Sequence, residues 1–432
     1  MCRSWKRNCP HVARLLRTTH RLEREASVAR WHSWEPWRRN LYILWVIEFA
    51  AFTGLSLILP FIPLYVRELG VTDVADVTRW SGLLLSGPFM VSFLATPVWG
   101  TLGDRYGQKL MVVRALIGSS ACYIGMALAG DVHTLFGWRL ALGGISGFLA
   151  AGMALVSVTV PDGERGYALG LLQSVVPAAG LIGPLLGGVL ADLIGYRAIF
   201  YVVGGVCVTG GVVAAATLKE ARTAGHGLVA FRVRDNLGVA WRHADLRRSL
   251  VAMVASQAFI TSLQPIFVLY VEQLGVEARL LSTTTGVLFA ATGITALVAA
   301  PWWGRRGDRL GYRGVLTISL LGSAALLFLQ ALVTGVAQLL VLRLLYGCFV
   351  AGVLPPLLGC ISAASPAERR GGLMGLSSSA IMLGNLFGPL MGGYIAAHVG
   401  LRQVFFVSAG FLLVVNGYAR RLSAARASSA LT

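Results

Sequence analysis

Gly100-Thr-Leu-Gly103-Asp104-Arg105-Tyr-Gly107-Gln-Lys109 returns 204 residues later as Gly304-Arg-Arg-Gly307-Asp308-Arg309-Leu-Gly311-Tyr-Arg313. The match is part of a register that runs along the chain at an offset of 204 to 205 residues. Tyr65-Val66 and Gly70-Val71 return as Tyr270-Val271 and Gly275-Val276, and Pro60 as Pro265. Arg139 and Gly143 return as Arg343 and Gly347, and Glu164-Arg165 as Glu368-Arg369. Gly183-Pro184 with Gly187-Gly188 returns as Gly388-Pro389 with Gly392-Gly393. Self-similarity at one long period marks two copies of a single structural unit.

Composition says where those units reside. Of 432 residues, 56% are hydrophobic and 13% charged, with a mean hydropathy of +0.70, a balance that belongs to membrane proteins. Apolar runs long enough to cross a hydrocarbon core of roughly 30 Å recur throughout. They predict twelve helical spans, at 41–66, 80–100, 110–129, 134–159, 167–191, 198–218, 249–272, 282–303, 314–332, 336–360, 372–396 and 401–419. No soluble second domain fits between them.

Lys219 to Arg248 is the longest polar interruption and divides the chain in the middle. The expected organisation is a basic N-terminal extension over 1–39, a six-helix half over 40–218 and a linker over 219–248. A second half over 249–421 and a tail over 422–432 follow. Residues 1–39 are Arg- and Trp-rich without a continuous apolar core, so no cleavable signal peptide is expected.

The net charge of +18 is set by position. Of the 37 Lys and Arg, Arg139 and Arg343 fall within spans, and Arg67, Arg79, Arg197, Arg279 and Arg402 on the side away from the termini. All others share the side of the termini, which the positive-inside rule makes cytoplasmic. Basic residues that alternate with spans form no nucleic-acid footprint, so no nucleic-acid partner is expected. Six cysteines show no metal or CxxC spacing, and Cys122, Cys207, Cys348 and Cys360 lie in or beside spans as apolar fillers. No metal and no cofactor is expected.

Two parallel six-helix repeats are what the major facilitator fold requires, with a cavity near the bilayer midplane between them. The 100–109 segment resembles the signature that follows the second helix in the major facilitator superfamily, with Gln108 in place of the usual basic residue. Trp37-Arg-Arg-Asn-Leu, Pro60-Phe-Ile-Pro63-Leu-Tyr65-Val, Trp80-Ser-Gly and the run from Gly103 to Met111 resemble the MdtG-type multidrug efflux proteins of bacteria. The resemblance implies a drug:proton antiporter of the inner membrane, a monomer whose partners are lipid, protons and a small-molecule substrate.

It also implies roles. Gly100, Gly103, Asp104, Arg105, Gly107 and Lys109, with Asp308 and Arg309 in the second copy, would form a conformational latch. Asp104 would face the start of span 11 near Gly371 and Gly372, where a helix N-terminus favours a carboxylate. Gly170, Gly183, Pro184, Gly187 and Gly188, echoed by Gly388 and Pro389, resemble the antiporter signature of exporters. Small residues there let backbones approach, and each proline removes a hydrogen bond. Ala179 stands where that signature prefers glycine.

Arg139 resembles the arginine of span 4 linked to proton transfer, and an arginine within a span is costly enough to suggest function. The competing reading is an arginine that reaches back to the membrane face. Glu48 is the one carboxylate well inside a span. Burial disfavours the ionised carboxyl, so a cavity-facing Glu48 is the candidate to load and release a proton. A structural glutamate paired with a cation from another helix is the alternative. Gln173, Gln257, Gln264 and Asn385 beside Phe52, Phe259, Phe289 and Trp303 are candidates to line an apolar substrate cavity. A sugar or metabolite carrier is the second reading, and it needs a denser polar lining. No HExxH pair, Walker loop or nucleophile elbow points to an enzyme.

Overall fold

The computed structural model describes residues 35–161, 163–220, 233–366 and 369–420. Residues 1–34, linker residues 221–232 and the tail lie outside the described residues, as does Glu368. Among the described residues every regular element is helical. Eleven of them, taken with their short continuations, are long and apolar enough to cross a membrane. The twelfth expected span, Ala244–Thr261 followed by Phe267–Gln273, holds Asp245, Arg247 and Arg248 in its first turns.

Spans 2, 3, 6, 8, 9, 11 and 12 are unbroken: Val74–Tyr106, Gln108–Ala127, Tyr196–Thr217, Leu281–Leu310, Tyr312–Leu332, Arg370–Val399 and Leu401–Ala419. The other five, expected as single helices, are interrupted. Span 1 passes from Pro36–Ile58 through a 3-10 turn at Leu59–Phe61 into Ile62–Glu68, at Pro60. Span 7 breaks before Pro265 in the same way, since proline cannot donate to the preceding turn. Span 4 (Val132–Ile145, Phe148–Thr159) breaks at Gly147, whose φ of 121° suits only glycine. Span 5 (Arg165–Gln173, Val175–Ile194) and span 10 (Val336–Val350, Leu354–Ala364) break at Ser174 and before Pro355-Pro356. The linker also holds a helix, Val233–Arg242, and span 7 starts at 244 rather than 249.

Span 1 lies between spans 5 and 6, span 3 between 6 and 4, and span 2 beyond 4. The second half repeats that order with 11, 7, 12, 9, 10 and 8. Span 2 against 11 and span 5 against 8 join the halves into one ring. The repeat reaches single hydrogen bonds: Tyr65 Oη donates to the Met126 carbonyl at 2.8 Å, and Tyr270 Oη to that of Gln330 at 2.6 Å. Trp99 and Trp303 donate to the carbonyls of Gly144 and Cys348, each at 2.6 Å. Cys122, Cys207 and Cys360 are buried among apolar neighbours, as expected.

Candidate functional site

Alternation of the spans gives the bundle a terminal end, with Trp37, Tyr106, Leu310 and Ala419, and a far end, with Glu68, Ile194, Gln273 and Val399. At the far end the halves are sealed. Gly188 of span 5 lies on the Ser282 carbonyl of span 8, and Gly286 lies on that of Pro184. By the same pattern Gly393 of span 11 lies on the Thr78 carbonyl of span 2, and a Cβ on Gly82 would come within 2.6 Å of the Pro389 carbonyl. Only a residue without a side chain permits such approach. Gly183 and Gly187 turn the other face of span 5 onto Ser56 and Leu57 of span 1, as Gly388 and Gly392 turn span 11 onto Thr261 and Ser262. The glycine pattern thus brings one face of span 5 onto span 1 and the other onto span 8, while Gly170 has open space around it and Ala179 is buried.

Polar ties reinforce this seam. Arg67 Nη1 donates to both oxygens of Glu272, at 2.9 and 2.7 Å. Asp192 Oδ2 accepts from Thr283 N at 2.7 Å and Thr283 Oγ1 at 2.6 Å, capping span 8 across the halves. Tyr196 Oη bonds Ser282 Oγ at 2.8 Å, and Arg79 meets His398 at 3.3 Å.

The terminal end is open. Asp104 is exposed and its Oδ1 accepts from Gln108 Nε2, at 3.4 Å on its own corner. Gly100, Gly304, Gly371 and Gly375 face open space, and Gly372 is covered by Asn236 of the linker helix rather than by span 2. Gly107, at φ 98°, makes the corner, with its N–H bonded to the Gly103 carbonyl at 2.8 Å; Gly311, at φ 90°, repeats this on Gly307 at 2.9 Å. Beside it Glu220 accepts from Gln108 N and Lys109 N at 2.8 and 3.0 Å, neutralising the start of span 3. Arg105 stacks over Tyr106 at 5.4 Å and Arg309 is exposed. The Asp308 side chain lies outside the described residues.

Inside the first half, Glu48 has no exposure, and neither carboxyl oxygen has a hydrogen-bond partner. It abuts Gly152 of span 4, where a side chain would collide with Oε1. The expectation of a cavity-facing carboxyl is therefore corrected for this conformation: Glu48 is packed between spans 1 and 4. Arg139 is 2% exposed, so it does not reach the membrane face; its Nε donates to the Leu84 carbonyl of span 2 at 2.9 Å. No ion pair joins it to Glu48. Its counterpart Arg343 stacks 3.7 Å over Phe267, with Nε and Nη2 lacking partners.

The cavity candidates divide. Gln257 Nε2 donates to Asn385 Oδ1 at 2.9 Å, so each has spent part of its hydrogen-bonding capacity on the other. Gln264 is half-buried in the break of span 7, Gln173 is exposed in span 5, and Phe52 packs edge-on against Phe148 at 4.9 Å. Three aromatics expected beside substrate are packing residues instead. Phe259 stacks on Phe411 at 4.3 Å, Phe289 meets Phe267 at 4.9 Å, and Trp303 is buried on Cys348. Arg114, absent from the expected site, lies 3.4 Å over Trp99. Its position one turn inside span 3 made it look like a charge of the membrane face; an arginine at that depth was the available signal.

A family model described as Major Facilitator Superfamily matches residues 44–283 and 250–425. "Multidrug resistance protein MdtG" of Serratia proteamaculans is 36% identical over 374 residues, covering 86% of this chain and 91% of the relative. The protein of the same name from Proteus mirabilis is 34% identical over 379 residues, covering 86% and 93%. A bacterial homolog of the human lysosomal transporter Spinster, solved inward-facing and unoccupied, superposes with a TM-score of 0.73 at 15% identity, over 90% of this chain and 97% of that one. The human organic anion transporter MFSD10 gives 0.62 at 17% identity, over 89% and 100%. At such identities these two establish the fold alone.

Proposed function

The chain belongs to the major facilitator superfamily, and on that premise we propose that it exports lipophilic or amphipathic small molecules in exchange for protons, by alternating access. The observation that carries the reading is a seam sealed at one end and open at the other along the same four helices. Charge bias makes the terminal end cytoplasmic, so the conformation is open to the cytoplasm, with both termini there. The membrane is then the bacterial inner membrane, and one chain contains the whole pathway.

Glu48 is the proposed proton carrier. An ionised carboxylate held without a partner in this environment costs several kcal/mol, and protonation removes that cost. Opening of the far end exposes the carboxyl to the outside, and rocking back buries it again beside Gly152. Arg139 holds spans 2 and 4 together during this motion. Asp104 latches span 2 to span 11 when the terminal end closes, and is free here because that end is open. The names of the relatives and the short supply of polar side chains, with Gln257 and Asn385 bonded to each other, favour lipophilic compounds over a sugar.

Expression in a pump-deficient bacterium tests the reading. Accumulation of several unrelated lipophilic compounds is expected to fall, and to recover when the proton gradient is collapsed. Increased uptake of one polar nutrient would overturn it in favour of metabolite carriage.

A further inference from the structure

The polar tie between spans 2 and 11 is made by a histidine. Arg79 Nη2 lies 3.3 Å from His398 Nε2. On its other side the ring is oriented by Tyr394, whose carbonyl is 2.8 Å from Nδ1 and whose tilted ring lies 4.2 Å away. A carbonyl only accepts, so Nδ1 carries a proton. A guanidinium only donates, so it bonds to Nε2 only while that nitrogen keeps its lone pair. The contact therefore requires the neutral imidazole. A second proton would set an N–H against the guanidinium and turn a hydrogen bond into a like-charge contact.

We infer that His398 is a pH-responsive tie of the far-end seam: neutral, it holds span 11 to span 2, and protonated, it releases them toward the state open at the far end. The surrounding groups leave this logic intact. From span 2 come Arg79 and Asp76, the latter 3.0 Å from the guanidinium and on Arg79 rather than on the ring. At the start of span 4 His133 and Asp131 face each other at 3.6 Å, and His133 packs on Trp80. Arg402 of span 12 lies beside Tyr270. The other polar ties between the halves, Arg67–Glu272, Asp192–Thr283 and Tyr196–Ser282, contain no histidine. Acid on the far side would then open the end at which an antiporter takes up its proton. Only that direction of coupling rests on the proposed function; the response of the contact to pH does not.

The test is the far-end distance as a function of pH. Spin labels at cysteines introduced for Leu128 and Ala337, exposed far-end residues of opposite halves, report opening in the full chain in nanodiscs, with Cys2, Cys9 and the partly exposed Cys348 replaced by serine. The ratio of open to closed molecules is expected to rise about fivefold between about pH 8 and about pH 5. His398→Gln, whose amide oxygen accepts from Arg79 at every pH, should remain closed and lose the rise. His398→Lys should be open throughout, and Arg79→Gln should abolish the step while keeping the histidine. A wild-type distribution indifferent to pH, or a His398→Gln variant that keeps the rise, overturns the inference. A pH-driven opening in a protein that transports nothing would sustain it and remove the transport reading instead.

Discussion

Arg67 and Glu272 stand 205 residues apart at equivalent positions of the two halves, and their side chains meet across the seam at 2.7 and 2.9 Å. Each is the penultimate residue of the short helix that follows an equivalent proline, Pro60 or Pro265. A pair of equivalent residues in contact lies on the local symmetry axis, so identical residues there would have offered like charges or none. Divergence of one copy to arginine and the other to glutamate made the contact attractive. Both side chains are partly exposed, and the pair contributes about 1 kcal/mol or less. Arg67→Glu or Glu272→Arg is expected to shift the far end several-fold toward open, seen in the same spin-label distances. The double exchange should restore closure; an exchange no better than either single variant would show that the charges are incidental.

The close approach at Gly188 makes a second claim. A Cβ there meets the Ser282 carbonyl, which is backbone and cannot turn aside. Gly188→Val is expected to insert normally, fail to seal the far end, and lose at least 90% of efflux, roughly a tenfold effect. Gly170→Ala, in the same pattern but with open space around it, should retain most activity. Equal behaviour of the two in a transport assay would contradict the seam assigned to span 5.

Among the described residues no hydrogen bond or ion pair joins Asp104 to span 11 in this conformation, and Gly371 and Gly375 face open space. Asp104→Asn should therefore leave this conformation as stable as before while weakening its alternative, so efflux falls although thermal stability in detergent does not. Labelling of a cysteine introduced at the exposed Gly375 should rise, because the terminal end spends more time open. Unchanged labelling together with unchanged transport would reduce Asp104 to a solvated corner.

The halves, the positions of the spans and the glycine faces of spans 5 and 11 were legible because duplication and hydropathy both act over long stretches. The breaks were only partly so. Pro60 and Pro265 announce theirs, whereas the interruption at Ser174 has no proline or glycine to mark it. Orientation about the helix axis was the harder problem. In a bilayer both the lipid face and the core are apolar, so nothing in the pattern distinguishes Phe259 and Trp303, which are buried in packing, from cavity residues. The Arg67–Glu272 tie could have been read from the repeat alone, since Tyr65-Val66-Arg67 aligns with Tyr270-Val271-Glu272. The Gln257–Asn385 bond could not, because it depends on how two separated helices face each other.

Glu48→Gln in liposomes tests the central claim most directly. The amide keeps the shape of the protonated acid and cannot release a proton, while Gly152 leaves room for no bulkier replacement. With an imposed pH gradient of one unit, wild-type protein exchanging one proton per molecule should concentrate a lipophilic compound up to about tenfold. Glu48→Gln should bind the compound and equilibrate it downhill, with no accumulation at any gradient. Full gradient-driven accumulation by Glu48→Gln would contradict the account and move the proton to another carboxylate, Asp192 or Glu272 of the far-end seam.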